Sequence, residues 1–391
     1  QAGMGFLRMQ QQNFGGAVSY LSQAEQNGYK SRVVENALST SRFWYTMGEA
    51  SQAFDGNRLN LAQQKYKDAL AMRPQSTEAL NGLAGLYLKQ EQYAQATVVY
   101  EQLLKLEPEN VDAWRGLFIC YARDGQNQMA LATAAKAPAR VAAELNKDPE
   151  YLRTLATIYS SQGRSIDAQK VLSQALELPF PEGGAHLKED TRMQYAGTLM
   201  EAHRFEQAAA MYTQILDEDG NSLPAWMGLV SARHQMGQER EAISDVQKMP
   251  PSVYESALSD AGFLTMLGSM YQQANQFDIA QSLLERTVKL DAAQGRRPSL
   301  QLQMQLAGIY LQRGNTAQAY AIYRQVLTAH PDRLDAWKGL ISTLQATNRS
   351  QEALLQLAYI PPAVRKELEN DTEFVQTEAS IYASAGDIPH A

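Results

Sequence analysis

The sequence predicts an all-α superhelical solenoid of helix–turn–helix units, some broken by proline and followed by short extra linker helices. Three observations carry this. Small and aromatic residues recur at helical spacing in units of about 34 residues, the length of a two-helix repeat. A longer period of 111 to 112 residues relates Trp114, Trp226 and Trp337. Once in each long period a proline cuts a helix: Pro138, Pro250-Pro251 and Pro361-Pro362. Proline removes a helical donor and clashes with the preceding turn.

The long period divides the chain. Residues 1–76 read as the second and third units of an earlier copy, since Ala17 aligns with Ala130, Leu38 with Leu145, Trp44 with Tyr151 and Ala62 with Ala168. Residues 77–188 and 189–299 are full copies of three units each. Residues 300–391 are a third copy, which stops in its last unit at Ala391, the match of Ala168 and Ala280. Within a copy the first unit is the most regular. The second has a shortened second helix ending at the proline, and the stretches 139–147, 252–259 and 363–370 read as an extra helical turn. A change of superhelix direction is expected at each break, which makes the prolines candidate hinges. A longer loop is expected at Pro179 to Ala185. Both ends fall inside a unit and Gln1 is not a Met, so the chain reads as a stretch of a longer array.

Each repeated residue type has a physical reason. Small residues such as Ala96, Ala168 and Ala280 let two helices approach closely. Aromatic residues fill the space between units: Tyr87, Tyr100, Trp114, Tyr121, Tyr159, Trp226, Tyr271, Tyr310, Tyr323, Trp337 and Tyr382. Gly or a polar residue makes the turn between helices.

Composition bounds the function. The 391 residues exceed one ordinary core, with 45% hydrophobic and 20% charged residues, which suits a folded chain. A net charge of -7 argues against non-specific nucleic-acid binding. No apolar run approaches the roughly 20 residues of a membrane span. The single cysteine, Cys120, reads as a small core residue. The histidines (His186, His203, His234, His330 and His390) form no metal set, and no phosphate loop or nucleophile elbow is present. The run Asp217-Glu218-Asp219-Gly220-Asn221 has the start of a calcium loop, but its twelfth position is Gly228, so it reads as an inter-unit turn. No catalytic residue, metal or cofactor is expected.

The units resemble the tetratricopeptide repeat family, with Leu83, Tyr87, Ala96, Tyr100 and Pro108 in one unit and Trp114, Leu117, Tyr121 and Ala130 in the next. The resemblance implies that the first helix of each pair lines a binding groove. It places Asn81, Lys89, Arg115, Arg123, Arg153, His234, Gln235, Gln272 and Lys338 there as candidate contacts. Arg115, Arg123 and Arg153 could converge on a carboxylate or phosphate. The alternative is that they only keep the groove solvated.

A more specific resemblance is to the periplasmic repeat region of the bacterial cellulose synthase operon protein C family. It rests on the opening Gly3-Met4-Gly5-Phe6-Leu7-Arg8-Met9, on Phe43-Trp44-Tyr45 ahead of Gly56 and Ala62, and on the broken unit with Ala-Trp-x-Gly-Leu and its proline. That implies a non-catalytic scaffold for cellulose or exopolysaccharide export. Its partners would be proteins of the synthase–export complex, with peptidoglycan or polysaccharide as a further ligand. The expected location is the periplasm, tethered through a C-terminal outer-membrane barrel outside this chain. Two other readings stay open. One is a cytoplasmic adaptor or co-chaperone that binds peptides. The other is the substrate-selecting arm of a glycosyltransferase, although the Asn ladder of such arms is missing.

Overall fold

The computed structural model describes residues 1–181 and 183–386, so the expectations at His390 and Ala391 lie outside the described residues. All regular structure among them is helical. The chain forms two compact units, Gln1–Thr198 and Leu199–Ala391.

Unit one opens with α1 (Ala2–Gln10) and α2 (Phe14–Gln26), then α3 (Arg32–Asp55) and α4 (Leu59–Met72). It continues with α5 (Thr77–Lys89), α6 (Tyr93–Leu106), α7 (Val111–Arg123) and α8 (Asn127–Lys136). The short α9 (Ala139–Leu145) follows, then α10 (Pro149–Ser161) and α11 (Ser165–Glu177). The unit boundary falls inside α12 (Ala185–Glu201). Ala185 therefore begins a helix rather than closing the expected loop, and position 188 lies within that helix.

Unit two continues with α13 (Phe205–Glu218), α14 (Leu223–Gln235), α15 (Glu239–Lys248), the short α16 (Pro251–Ala257), α17 (Ala261–Gln273) and α18 (Phe277–Ala293). Its last helices are α19 (Leu300–Gln312), α20 (Thr316–Ala329), α21 (Leu334–Ala346), α22 (Ser350–Ala358), the short α23 (Pro362–Leu368) and α24 (Thr372–Ala385).

The expected linker helices are present. Pro138, Pro250 and Pro361 stand at the N-caps of α9, α16 and α23. Each short helix buries two residues: Val141 and Leu145, Val253 and Ala257, Val364 and Leu368. They are thus anchored to the core rather than free turns.

The hairpins share one turn. A single residue per turn is left-handed, for example Glu91, Gly125, His203 or Gly314. The next N–H then bonds back to the carbonyl five residues earlier, as Gln92 does to Tyr87 at 2.9 Å and Gln126 to Tyr121 at 2.8 Å. That closure satisfies the last carbonyls of the first helix. Across each hairpin sits one fully buried alanine, such as Ala96, Ala168 or Ala280. The smallest side chain that still favours a helix lets the backbones close up.

One element departs from the pattern. In later copies an aspartate restarts the chain after the linker helix: Asp148, Asp260 and Asp371 cap α10, α17 and α24 through their side chains. The aligned position in the first copy is Ser41, and there α3 runs unbroken for 24 residues. Ser31 caps α3 where the later copies have proline. Ser41 is fully buried and its hydroxyl has no hydrogen-bond partner.

Candidate partner-binding site

The conspicuous aromatics turn out to hold units together. Trp114, Trp226 and Trp337 donate their indole N–H to the carbonyls of Pro108, Gly220 and Pro331, at 2.7, 2.9 and 2.9 Å. Each staples the turn that leads into its own helix. The glycine two residues later has a separate task. A Cβ on Gly116, Gly228 or Gly339 would run into the ring of Tyr100, Tyr212 or Tyr323 from the preceding helix. The Trp-x-Gly-Leu motif is therefore a packing lock. The acidic run before Trp226 is also structural: Asp219 accepts from the Asn221 N–H at 3.0 Å, inside an ordinary turn.

The structure sorts the predicted groove residues by their partners. Arg115 bonds Asp148 at 2.8 Å and Asp112 at 2.7 Å. Lys338, its equivalent in the last copy, bonds Asp371 at 2.6 Å. Both cations thus reach the aspartate that caps the next unit's first helix. Lys338 holds the Asp371 carboxyl below the usual carboxylate range, helped by the Phe374 N–H. In the second copy Met227 takes the cation's place, and Asp260 has its cap and no ion pair among the described residues. His234 pairs with Glu239 at 2.9 Å. Asn81 and Gln272 are half-buried, and Gln235 is exposed.

Lys89, Arg123 and Arg153 line two clefts in unit one that share Arg123. The larger, of about 400 Å³, lies between α7 and α10 and includes Arg123, Arg153, Thr157 and Ser161. The smaller, of about 290 Å³, reaches toward α5 and includes Lys89, Arg123 and Glu150. Neighbouring contacts hold the floor in place: Asn127 donates to Ser161 at 3.0 Å, and Gln194 to Thr157 at 2.9 Å. Arg123 has no ion pair among the described residues. Arg153 approaches Asp190 at 3.7 Å, and its buried Nε is unpartnered. Lys89 lies over the Phe54 ring at 4.6 Å. Three cations against two lining carboxylates, Glu91 and Glu150, leave a net positive charge that suits an acidic ligand group. Of the three arginines expected to converge, two do, and Arg115 is committed elsewhere. Its role had a sequence signal in the recurring Asp148, Asp260 and Asp371.

Cys120 is buried, which pushes its thiol up to about 12 and leaves it unsuited to nucleophilic work. No group of His, Cys, Asp and Glu among the described residues could hold a metal. No described helix is long and apolar enough to cross a membrane.

Tetratricopeptide repeat family patterns match residues 53–103, 87–143, 199–260 and 310–370, with a second such pattern at 265–333. The chain belongs to the tetratricopeptide repeat family. Its tetratricopeptide repeats are similar to two curated relatives. Cellulose synthase operon protein C of Xanthomonas axonopodis pv. citri (strain 306) is 26% identical over 320 residues, 82% of this chain and 19% of the relative. The protein of the same name from Pseudomonas fluorescens (strain SBW25) is 25% identical over 331 residues, 82% of this chain and 22% of that one. The chain thus spans about a fifth of their length. A solved tetratricopeptide repeat protein from Parabacteroides merdae ATCC 43184 aligns with TM-score 0.43 and 14% identity, over 68% of this chain and 97% of that one.

Proposed function

We propose that this repeat array is a non-catalytic scaffold of a bacterial cellulose or related exopolysaccharide export complex. It works in the periplasm as part of a longer protein tethered by an outer-membrane barrel. It docks an acidic segment of a synthase–export protein in the clefts lined by Lys89, Arg123 and Arg153. The observation that carries the docking chemistry is Arg123, which has no ion pair among the described residues while lining both clefts. The biological setting is supported by the similarity to cellulose synthase operon protein C over 82% of the chain. The proline breaks serve as hinges, letting successive units settle around a partner.

The test is made in the full-length protein. Replacing Arg123 and Arg153 with Glu should sharply lower secreted exopolysaccharide while the protein stays folded and abundant. Unchanged secretion from a folded double variant contradicts the proposal.

A further inference from the structure

A third cleft lies in unit one, between the middle of α3 and the loop joining α4 to α5. It has about 530 Å³, within the range of small-ligand sites, and its lining includes Phe43, Trp44, Arg73, Gln75 and Glu78. Trp44 is the exceptional tryptophan of the chain. The other three indoles are stapled to backbone carbonyls. The Trp44 N–H has no hydrogen-bond partner among the described residues and is not among the buried orphans. The cause is local. Because α3 runs unbroken past Ser41, no turn precedes Trp44 to offer it a carbonyl.

The ring is nevertheless fixed in place. Phe14 stacks on it with centroids 6.2 Å apart, and Phe43 meets it edge-on at 5.1 Å. Arg73 lies over Phe43 at 4.5 Å and donates to Thr40 at 2.8 Å, so the guanidinium is also held. Glu78 accepts from the Ser76 hydroxyl at 2.8 Å, and Gln75 is exposed. The cleft therefore offers one half-buried indole, an aligned donor, an aligned acceptor and an amide that can do both.

We infer that this cleft binds one ring of an uncharged, β-linked oligosaccharide. Arg73 and Glu78 cancel in charge, which disfavours a carboxylate or phosphate. Hydroxyl groups both donate and accept, as the planar side chains here require. A pyranose with equatorial substituents presents a flat C–H face that packs on an indole. A proline-rich peptide needs an aromatic-lined groove, whereas Phe43 is only 1% exposed and Trp44 alone offers a ring. This inference does not rest on the docking of export proteins. The cleft would hold sugar even if Arg123 and Arg153 met no partner.

The test is titration of the whole chain with two probes, a β-1,4-glucose hexamer and a β-1,4-N-acetylglucosamine hexamer, followed by the four indole N–H resonances. The Trp44 resonance should shift saturably with at least one probe while the three stapled indoles stay still. By calorimetry, Trp44→Ala should weaken binding roughly tenfold or more. Trp44→Phe, which keeps the packing against Phe14 and Phe43, should weaken it less, and the exposed Gln75→Ala variant should weaken it without changing the fold. No shift with either hexamer overturns the inference. So does a shift confined to the stapled indoles, binding undiminished in both Trp44→Phe and Gln75→Ala, or tighter binding of a proline-rich peptide than of either sugar.

Discussion

At the scale of single residues, the repeat is held by a few positions with no slack. Gly116 is one. Ala there should destabilise the chain by about 1–3 kcal/mol in chemical denaturation, because the Tyr100 ring has nowhere to go. The turns show the opposite case. His203 sits left-handed at φ 57°, where a side chain is strained. His203→Gly should stabilise by about 0.5–1 kcal/mol, since the relief exceeds the added chain entropy. The buried tyrosines set an alkaline limit. Burial raises Tyr100 and Tyr212, and pushes Tyr151 and Tyr323 up to about 12 from the ordinary 10.0. The unfolded phenols release protons first, so the stability they contribute is complete below pH 10.0 and is lost as pH rises toward about 12. The share of the tyrosinate absorbance that belongs to the buried tyrosines should therefore appear only as helical circular dichroism is lost. Ionisation of Tyr151 and Tyr323 in a fully helical chain contradicts this.

At the scale of elements, the same aspartate does different work in different copies. Asp148 caps α10 and also holds Arg115, whereas Asp260 caps α17 without a cation. Asp148→Ala should cost about 1–2 kcal/mol and Asp260→Ala nearer 1 in denaturant melts, the exposed pair adding only part of its Coulomb energy. Much of this layer was legible in the sequence. The hairpin alanines such as Ala96, Ala168 and Ala280, the prolines and the Trp-x-Gly-Leu motif follow helical spacing that no tertiary contact overrides. The commitment of Arg115 and Lys338 was less visible, because a cation on a groove helix looks the same whether it faces solvent or the next unit's cap. The continuity of α3 was also hidden. It goes with Ser31 in place of the later copies' proline and Ser41 in place of their capping aspartate, and serine also caps helices readily. With it went the cleft at Trp44, whose isolation from the other tryptophans was the only signal.

At the scale of the whole molecule, the chain is two compact units assembled from repeated hairpins, with one run of cationic clefts in the first. On the proposed reading the array works by presenting side chains, so what touches Arg123 and Arg153 decides it. The most direct measurement places a photoreactive amino acid at Thr157, an exposed cleft residue, in the full-length protein within exopolysaccharide-producing cells. A crosslink to a protein of the synthase–export complex is expected, lost when Arg123 and Arg153 are replaced by Glu. A crosslink only to unrelated cytoplasmic proteins, or one that persists in the Glu variant, would contradict that reading.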